Sequence, residues 1–173
     1  MLILVSGGAA SGKSAFAEGL ITQSGLEQRI YLATMQVWDG ESEARVERHR
    51  AMRAGKGFET VERPLDLAGV DLPSGCAVLL EDLTNLTANE CFGPQGFDGA
   101  LNRLTVGLER AIDAPALLVA VTGELFSDGE AYGGETAAYL DCLARLNRAA
   151  ASRADRVYEV VCGLPVQWKG AGA

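Results

Sequence analysis

Short apolar runs alternate along the chain with longer stretches in which apolar residues recur every three or four positions. The runs Leu2–Ser6, Ile30–Thr34, Phe58–Val61, Ala77–Glu81, Ala116–Val121 and Arg156–Val161 have the length and β-branched content of buried strands. Helical periodicity predicts helices over Lys13–Gln23, Glu41–Ala54, Leu83–Glu90, Gly99–Ala111 and Glu135–Arg153. Most gaps between strands are long enough for a crossover helix, so the alternation predicts an α/β fold with a mainly parallel sheet flanked by helices. After Cys162, Gly163-Leu164-Pro165 breaks the chain, and Val166–Trp168 is expected to return as an antiparallel edge strand, closing a C-terminal hairpin. Two Gly-rich breaks, Phe92–Gly99 and Phe126–Gly134, interrupt the pattern. The second follows the C-terminal end of a predicted strand, the edge at which open α/β sheets bind ligands.

Composition adds limits. The 173 residues suit one domain over 1–173 with a full core. Apolar residues at 48% and charged residues at 22% are ordinary for a soluble globular chain. The net charge of −8 argues against binding nucleic acid or an anionic membrane surface. There is no apolar stretch long enough for membrane insertion, and the first strand begins at Leu2, leaving no room for a targeting peptide, so a cytoplasmic protein is expected. Cys76, Cys91, Cys142 and Cys162 show neither C-x-x-C spacing nor clustering with histidine and are expected as buried apolar fillers. The charge is uneven. Between Ala44 and Lys56, five cations (Arg45, Arg48, Arg50, Arg53 and Lys56) face a single acid, Glu47, a local charge of +4 in an acidic chain.

The chemistry begins in the first strand-to-helix connection. Gly7, Gly8, Ala9, Ala10, Ser11, Gly12, Lys13 and Ser14 carry the spacing of a phosphate-binding P-loop, with strand, loop and helix in the required order. Glycines let backbone N–H groups crowd around phosphate oxygens, Lys13 adds a charge towards the outer phosphates, and the helix presents its positive end to the anion. The Ser14 hydroxyl suits a Mg²⁺ shell, and Glu81, directly after the apolar run Ala77–Leu80, is the expected acidic partner for that Mg²⁺. The neighbouring Asp82 fits a helix N-cap as well. Together these features point to a P-loop NTPase-like (RecA-like) domain. His49, the single histidine, lies inside the positive island, with Arg45 at i−4 and Arg53 at i+4. Surrounding cations favour the neutral imidazole, a competent nucleophile towards phosphorus, although on spacing alone a solvated charged helix face is the favoured reading of the segment.

The motifs resemble those of the bifunctional cobinamide kinase/cobinamide-phosphate guanylyltransferases of adenosylcobalamin biosynthesis, the CobU-type family. The matching segments run through the chain in order: Leu2–Ser14, Tyr31–Thr34, Arg45–Arg50, Thr60-Val-Glu62-Arg-Pro64, Leu79-Leu-Glu81-Asp with Asn89, Val121-Thr122 with Glu124, Asn147-Arg, Ala154-Asp155, and Val161-Cys-Gly-Leu-Pro165. The resemblance implies two reactions at one nucleotide site. ATP or GTP phosphorylates adenosylcobinamide; GTP then guanylylates His49, and the GMP passes to the cobinamide phosphate. By the same matching, Thr34, Met35 and Gln36, the turn Arg50, Ala51, Met52 and Arg53, and Glu62 and Glu81 line the GTP site, with Lys13 and His49 in the catalytic roles. A homotrimer is also implied, with the corrinoid near subunit contacts. The chain departs from the family's pattern at Ala10, usually arginine, at Arg53-Ala54 and Phe58, and through Gly123–Gly134, where the family's polar run is missing. A P-loop kinase without guanylyl transfer and a non-catalytic nucleotide-binding module are the alternatives.

Overall fold

Among the described residues, seven strands form one sheet in the order β3-β2-β4-β5-β1-β6-β7. They are β1 (Leu2–Gly7), β2 (Arg29–Ala33), β3 (Phe58–Glu62), β4 (Ala77–Glu81), β5 (Leu117–Gly123), β6 (Arg156–Val161) and β7 (Leu164–Lys169). Every neighbouring pair is parallel except β6 with β7, the expected C-terminal hairpin. The computed structural model describes residues 1–36, 46–47, 50–51 and 53–171. Among the described residues, four helices have full bounds, α1 (Lys13–Thr22), α2 (Leu83–Phe92), α3 (Ala100–Asp113) and α4 (Gly134–Arg153), and a 3₁₀ turn lies at Leu67–Gly69.

The central strands are apolar throughout because both sheet faces are covered. The period of two divides them cleanly. Ile3, Val5, Leu79, Val119 and Val121 pack with Ala17 and Ile21 of α1 on one face. Leu2, Leu4, Val78, Leu80, Leu118 and Ala120 pack on the other with Leu83 and Leu86 of α2, Leu104 and Leu108 of α3 and Leu146 of α4. Burying each such side chain is worth roughly 1.5–3 kcal/mol. Buried polar ties pin the layers: Leu2 N–H donates to Asp155 Oδ2 at 2.7 Å, and Thr122 Oγ1 donates to Asn147 Oδ1 at 2.9 Å.

Parallel pairing brings the strand ends to a common edge. Gly7 of β1 registers with Gly123 of β5, and Ala33 of β2 with both Glu81 of β4 and Glu62 of β3. The P-loop, the acid after β4 and the Gly-rich loop after β5 therefore share one side of the sheet. The predicted elements reappear with shifted ends. Of the helix expected over Glu41–Ala54, residues Val46, Glu47, Arg50, Ala51 and Arg53 are helical, and 37–45, 48, 49 and 52 lie outside the described residues. One cysteine differs from expectation. Cys76, Cys91 and Cys142 are buried, whereas Cys162 is exposed, because it occupies the tight β6–β7 turn with a φ of +51°.

Candidate functional site

The phosphate loop is held by close backbone contacts. A Cβ on Gly7 would lie 2.7 Å from the Val160 carbonyl oxygen and 2.6 Å from Ser11 Oγ, so only glycine lets β1 turn beside β6. Gly12, at the N-cap of α1, has φ +94°, and a Cβ there would meet Gly163 Cα at 3.3 Å. The contact is reciprocal in effect: Gly163 N–H donates to Ser11 O at 2.8 Å, so the β6–β7 turn braces the loop from below. Lys13 Nζ donates to Gly8 O at 3.1 Å and closes the loop on itself. The first N–H groups of an α-helix such as α1 have no carbonyl partners within the helix, which is what lets a helix N-terminus take an anion.

The two residues expected around Mg²⁺ meet. Ser14 Oγ donates to Glu81 Oε1 across a gap of 67 residues in sequence. Glu81 is only 7% exposed. Burial pushes its carboxyl up to about 7; the nearby Asp82 and Glu18 push the same way, while the Ser14 hydrogen bond and the Lys13 ammonium pull it down. A hydroxyl and a carboxylate side by side are hard oxygen donors of the kind Mg²⁺ takes. Among the described residues no group of three or more His, Cys, Asp or Glu side chains is placed to hold a metal ion.

Asp82, joined to Glu81 by a cis peptide bond, takes the capping role: its Oδ1 accepts from Asn85 N–H at 2.6 Å and starts α2. Thr34 locks the same corner. Its Oγ1 accepts from Asp82 N–H at 2.7 Å and donates to Asp82 O at 2.8 Å. Asn89 then donates to both Thr34 O (2.8 Å) and Pro64 O (2.9 Å), tying the exits of β2 and β3 to α2. Met35 and Gln36 follow Thr34 directly, half-buried. After β5, Glu124 N–H donates to Gly7 O at 3.1 Å, so the loop that departs from the family pattern begins in contact with the P-loop.

His49, the proposed nucleophile, lies with Arg45, Arg48 and Met52 outside the described residues. The neighbours that are described show how the basic segment is anchored. Arg53 is buried, its guanidinium 3.5 Å from the centre of the Tyr31 ring, and its Nη2 donates to Thr60 Oγ1 at 3.4 Å. Burial, and next the Glu81 carboxylate, push the Tyr31 phenol up, with Arg53 acting against them. Arg50 pairs with Glu47 at 2.7 Å and with Glu62, the last residue of β3, at 3.5 Å, while Ala51 is exposed. Between segment and sheet lies a cleft of about 520 Å³ lined by Arg50, Arg53, Ala54, Gly55, Gly57, Phe58 and Thr60.

The structure thus brings Gly7 to Ser14, Thr34 and Glu81 together at one edge, with Glu62 at the strand beyond and Arg50 beside it. Sequence reasoning missed Glu18, and it named Lys56 only as a cation of the basic island and Tyr31 only within a segment that matches the family. No local signal marks Glu18: it shares its helix face with the polar Ser14 and Thr22 and reads as an ordinary surface acid.

A family model described as "Cobinamide kinase / cobinamide phosphate guanyltransferase" matches residues 3–168. The chain is 37% identical over 172 residues to the bifunctional adenosylcobalamin biosynthesis protein CobP of Pseudomonas aeruginosa, spanning 96% of both chains. It is 35% identical over 184 residues to the bifunctional adenosylcobalamin biosynthesis protein CobU of Salmonella typhimurium, covering 98% of this chain and 100% of that one. Among solved structures it superposes on a prototypical ATPase from the type III secretion system of pathogenic bacteria with a TM-score of 0.57 at 12% identity, over 96% of this chain and 56% of that chain. That last likeness is one of fold, a mixed α/β P-loop ATPase sheet. Among the described residues no helix is long and apolar enough to cross a membrane.

Proposed function

Because the chain belongs to the cobinamide kinase/cobinamide phosphate guanyltransferase family, we propose that it carries out two reactions at one nucleotide site. In the first, the aminopropanol hydroxyl of adenosylcobinamide attacks the γ-phosphorus of ATP or GTP and the nucleoside diphosphate leaves. In the second, a His49 imidazole nitrogen attacks the α-phosphorus of GTP. A nitrogen–phosphorus bond forms as the bond to the bridging oxygen breaks, and pyrophosphate leaves with the electron pair. A phosphate oxygen of adenosylcobinamide phosphate then attacks the same phosphorus, releasing free imidazole and adenosylcobinamide-GDP.

The observation that carries this reading is the meeting of Ser14 with Glu81 beside a closed P-loop, in a chain that matches the family from residue 3 to residue 168. Gly7, Gly8, Ala9, Ala10, Ser11 and Gly12 cradle the phosphates with backbone N–H groups, and Lys13 orients the outer ones. Ser14 and Glu81 would hold Mg²⁺, which neutralises charge on the β- and γ-phosphates when bound. Thr34, Met35, Gln36, Arg50, Ala51, Met52, Arg53 and Glu62 line the remainder of the GTP site. Cations of the basic segment stabilise charge that develops at the α-phosphate. The same reading makes the protein a cytoplasmic enzyme, where its nucleotides are, and a homotrimer. Light scattering that returns the 18.2 kDa of one chain would overturn the trimer.

The test is incubation with α-labelled GTP and Mg²⁺, followed by denaturation. The expected outcome is an acid-labile, alkali-stable protein label that is lost in His49→Ala and chased by cobinamide phosphate. GTP binding without any label would overturn guanylyl transfer and leave a P-loop kinase.

A further inference from the structure

Helix α1 buries Ala17 and Ile21 against the sheet, and with them an acid, Glu18, at 1% exposure. Glu18 stands one helical turn after Ser14, on the same face, so its carboxylate lies beneath the phosphate-binding end of the helix. Its charge is felt by Glu81 and by Tyr31. Glu18 Oε2 accepts from Lys56 Nζ at 2.5 Å, and Oε1 is buried without a partner among the described residues. Lys56 belongs to the turn that ends the basic segment: its N–H donates to Arg53 O at 3.0 Å, and its carbonyl accepts from Arg29 Nη1 at 2.9 Å. Three residues earlier, Arg53 lies over the Tyr31 ring.

A carboxylate taken out of water is costly even when paired, and an apolar side chain at position 18 would pack on the same sheet without that cost. The charge is therefore better explained by what it holds. The two acids, Glu18 and Glu81, come from the helix and strand that frame the phosphate; the two cations, Arg53 and Lys56, come from the end of the segment that contains His49. We infer that the Glu18–Lys56 ion pair is a positioning device that ties the basic segment to the P-loop helix and sets the segment's reach towards the nucleotide's α-phosphate. This rests on the guanylyl-transfer reading. Lys56 also neutralises Glu18, which would otherwise set a negative charge against the bound triphosphate.

The test compares wild type with Glu18→Gln, Lys56→Met, the double variant and Lys56→Arg in single-turnover labelling by α-labelled GTP, with GTP affinity and thermal midpoint measured alongside. At saturating GTP, the labelling rate is expected to fall about tenfold or more in the first three variants, since small misplacements of a nucleophile are costly. GTP affinity weakens only in Lys56→Met, where Glu18 is left charged and unpaired, and recovers in the double variant, where the charge is gone but the tether is still missing. Lys56→Arg keeps most of the labelling rate. Glu18→Gln, nearly isosteric and free of a buried charge, keeps the test valid if Lys56→Met fails to fold. Labelling within twofold of wild type in Glu18→Gln and the double variant overturns the positioning role alone. A loss of rate matched by equal losses of affinity and thermal midpoint in Glu18→Gln overturns it as well, leaving a structural pair. An unlabelled wild-type protein overturns guanylyl transfer, and this inference with it.

Discussion

At the scale of single residues, the site concentrates polar atoms that burial alone would exclude. Glu81 is the clearest case, its carboxyl raised to about 7 chiefly by desolvation. The folded value stands above the ordinary 4.5, so the folded chain binds the proton more tightly than the unfolded chain between those two values. Its contribution to stability is thus fully present below about pH 4.5 and is lost as pH rises through about 7. Glu81→Gln keeps an acceptor for Ser14 and cannot ionise. The metal-free variant is therefore expected to be more stable than wild type at pH 8, with the gap closing towards pH 5; thermal melts of both proteins across that range check it. A gap that widens on acidification would contradict the assigned direction. Gly7 offers a steric counterpart. A methyl group there meets the Val160 carbonyl, which is backbone and cannot swing aside. Gly7→Ala is expected to cost about 2 kcal/mol or more, in the range of overpacked sites, and to abolish GTP binding, read by urea denaturation and calorimetry. Normal GTP affinity in that variant would show that the β1–β6 contact does not shape the loop.

At the scale of elements, the strands were legible because a sheet buried on both faces leaves uninterrupted apolar runs, as in Leu2–Val5 and Ala77–Leu80. The P-loop was legible for a different reason: its eight residues are contiguous, so their order alone carries the geometry. Element ends were less visible. β5 continues past Val121 to Gly123 because Thr122 finds Asn147 and Gly123 N–H finds Thr84, partners that no local pattern reveals. The joint between β2 and β4 is of the same kind. Thr34 Oγ1 satisfies both the N–H and the carbonyl of Asp82, 48 residues away, and Thr34 is fully buried. Thr34→Val keeps the shape and strands both backbone groups, an expected loss of roughly 2 kcal/mol, whereas Thr34→Ser retains most of the stability. Equal urea midpoints for Val and Ser would mean that the hydroxyl does not hold the corner.

At the scale of the whole molecule, the site is a product of topology. Residues 7–14, Thr34 and Glu81 meet only because parallel pairing sets the ends of β1, β2 and β4 along one edge, and the turn at Gly163 closes on Ser11 from the far end of the chain. Chemistry confined to one stretch was therefore readable in advance, as with the P-loop and the acid that ends an apolar strand. Chemistry shared between distant stretches was not: Glu18 reads in sequence as an ordinary helix-surface acid until Lys56, 38 residues away, is seen beside it. A site assembled in this way is absent from the unfolded chain, so a nucleotide binds the folded state alone and stabilises it by mass action. At a free concentration of Mg²⁺·GTP one hundred times its Kd, the stabilisation is about 2.7 kcal/mol; at roughly 2–4 °C per kcal/mol for a chain of this size, the thermal midpoint rises by about 5–11 °C. Lys13→Ala removes the charge that orients the outer phosphates and is expected to show no rise at the same nucleotide concentration, together with the loss of both reactions. A Lys13→Ala protein that gains the full shift and guanylylates at the wild-type rate would place the triphosphate elsewhere on the sheet edge, away from the loop between β1 and α1.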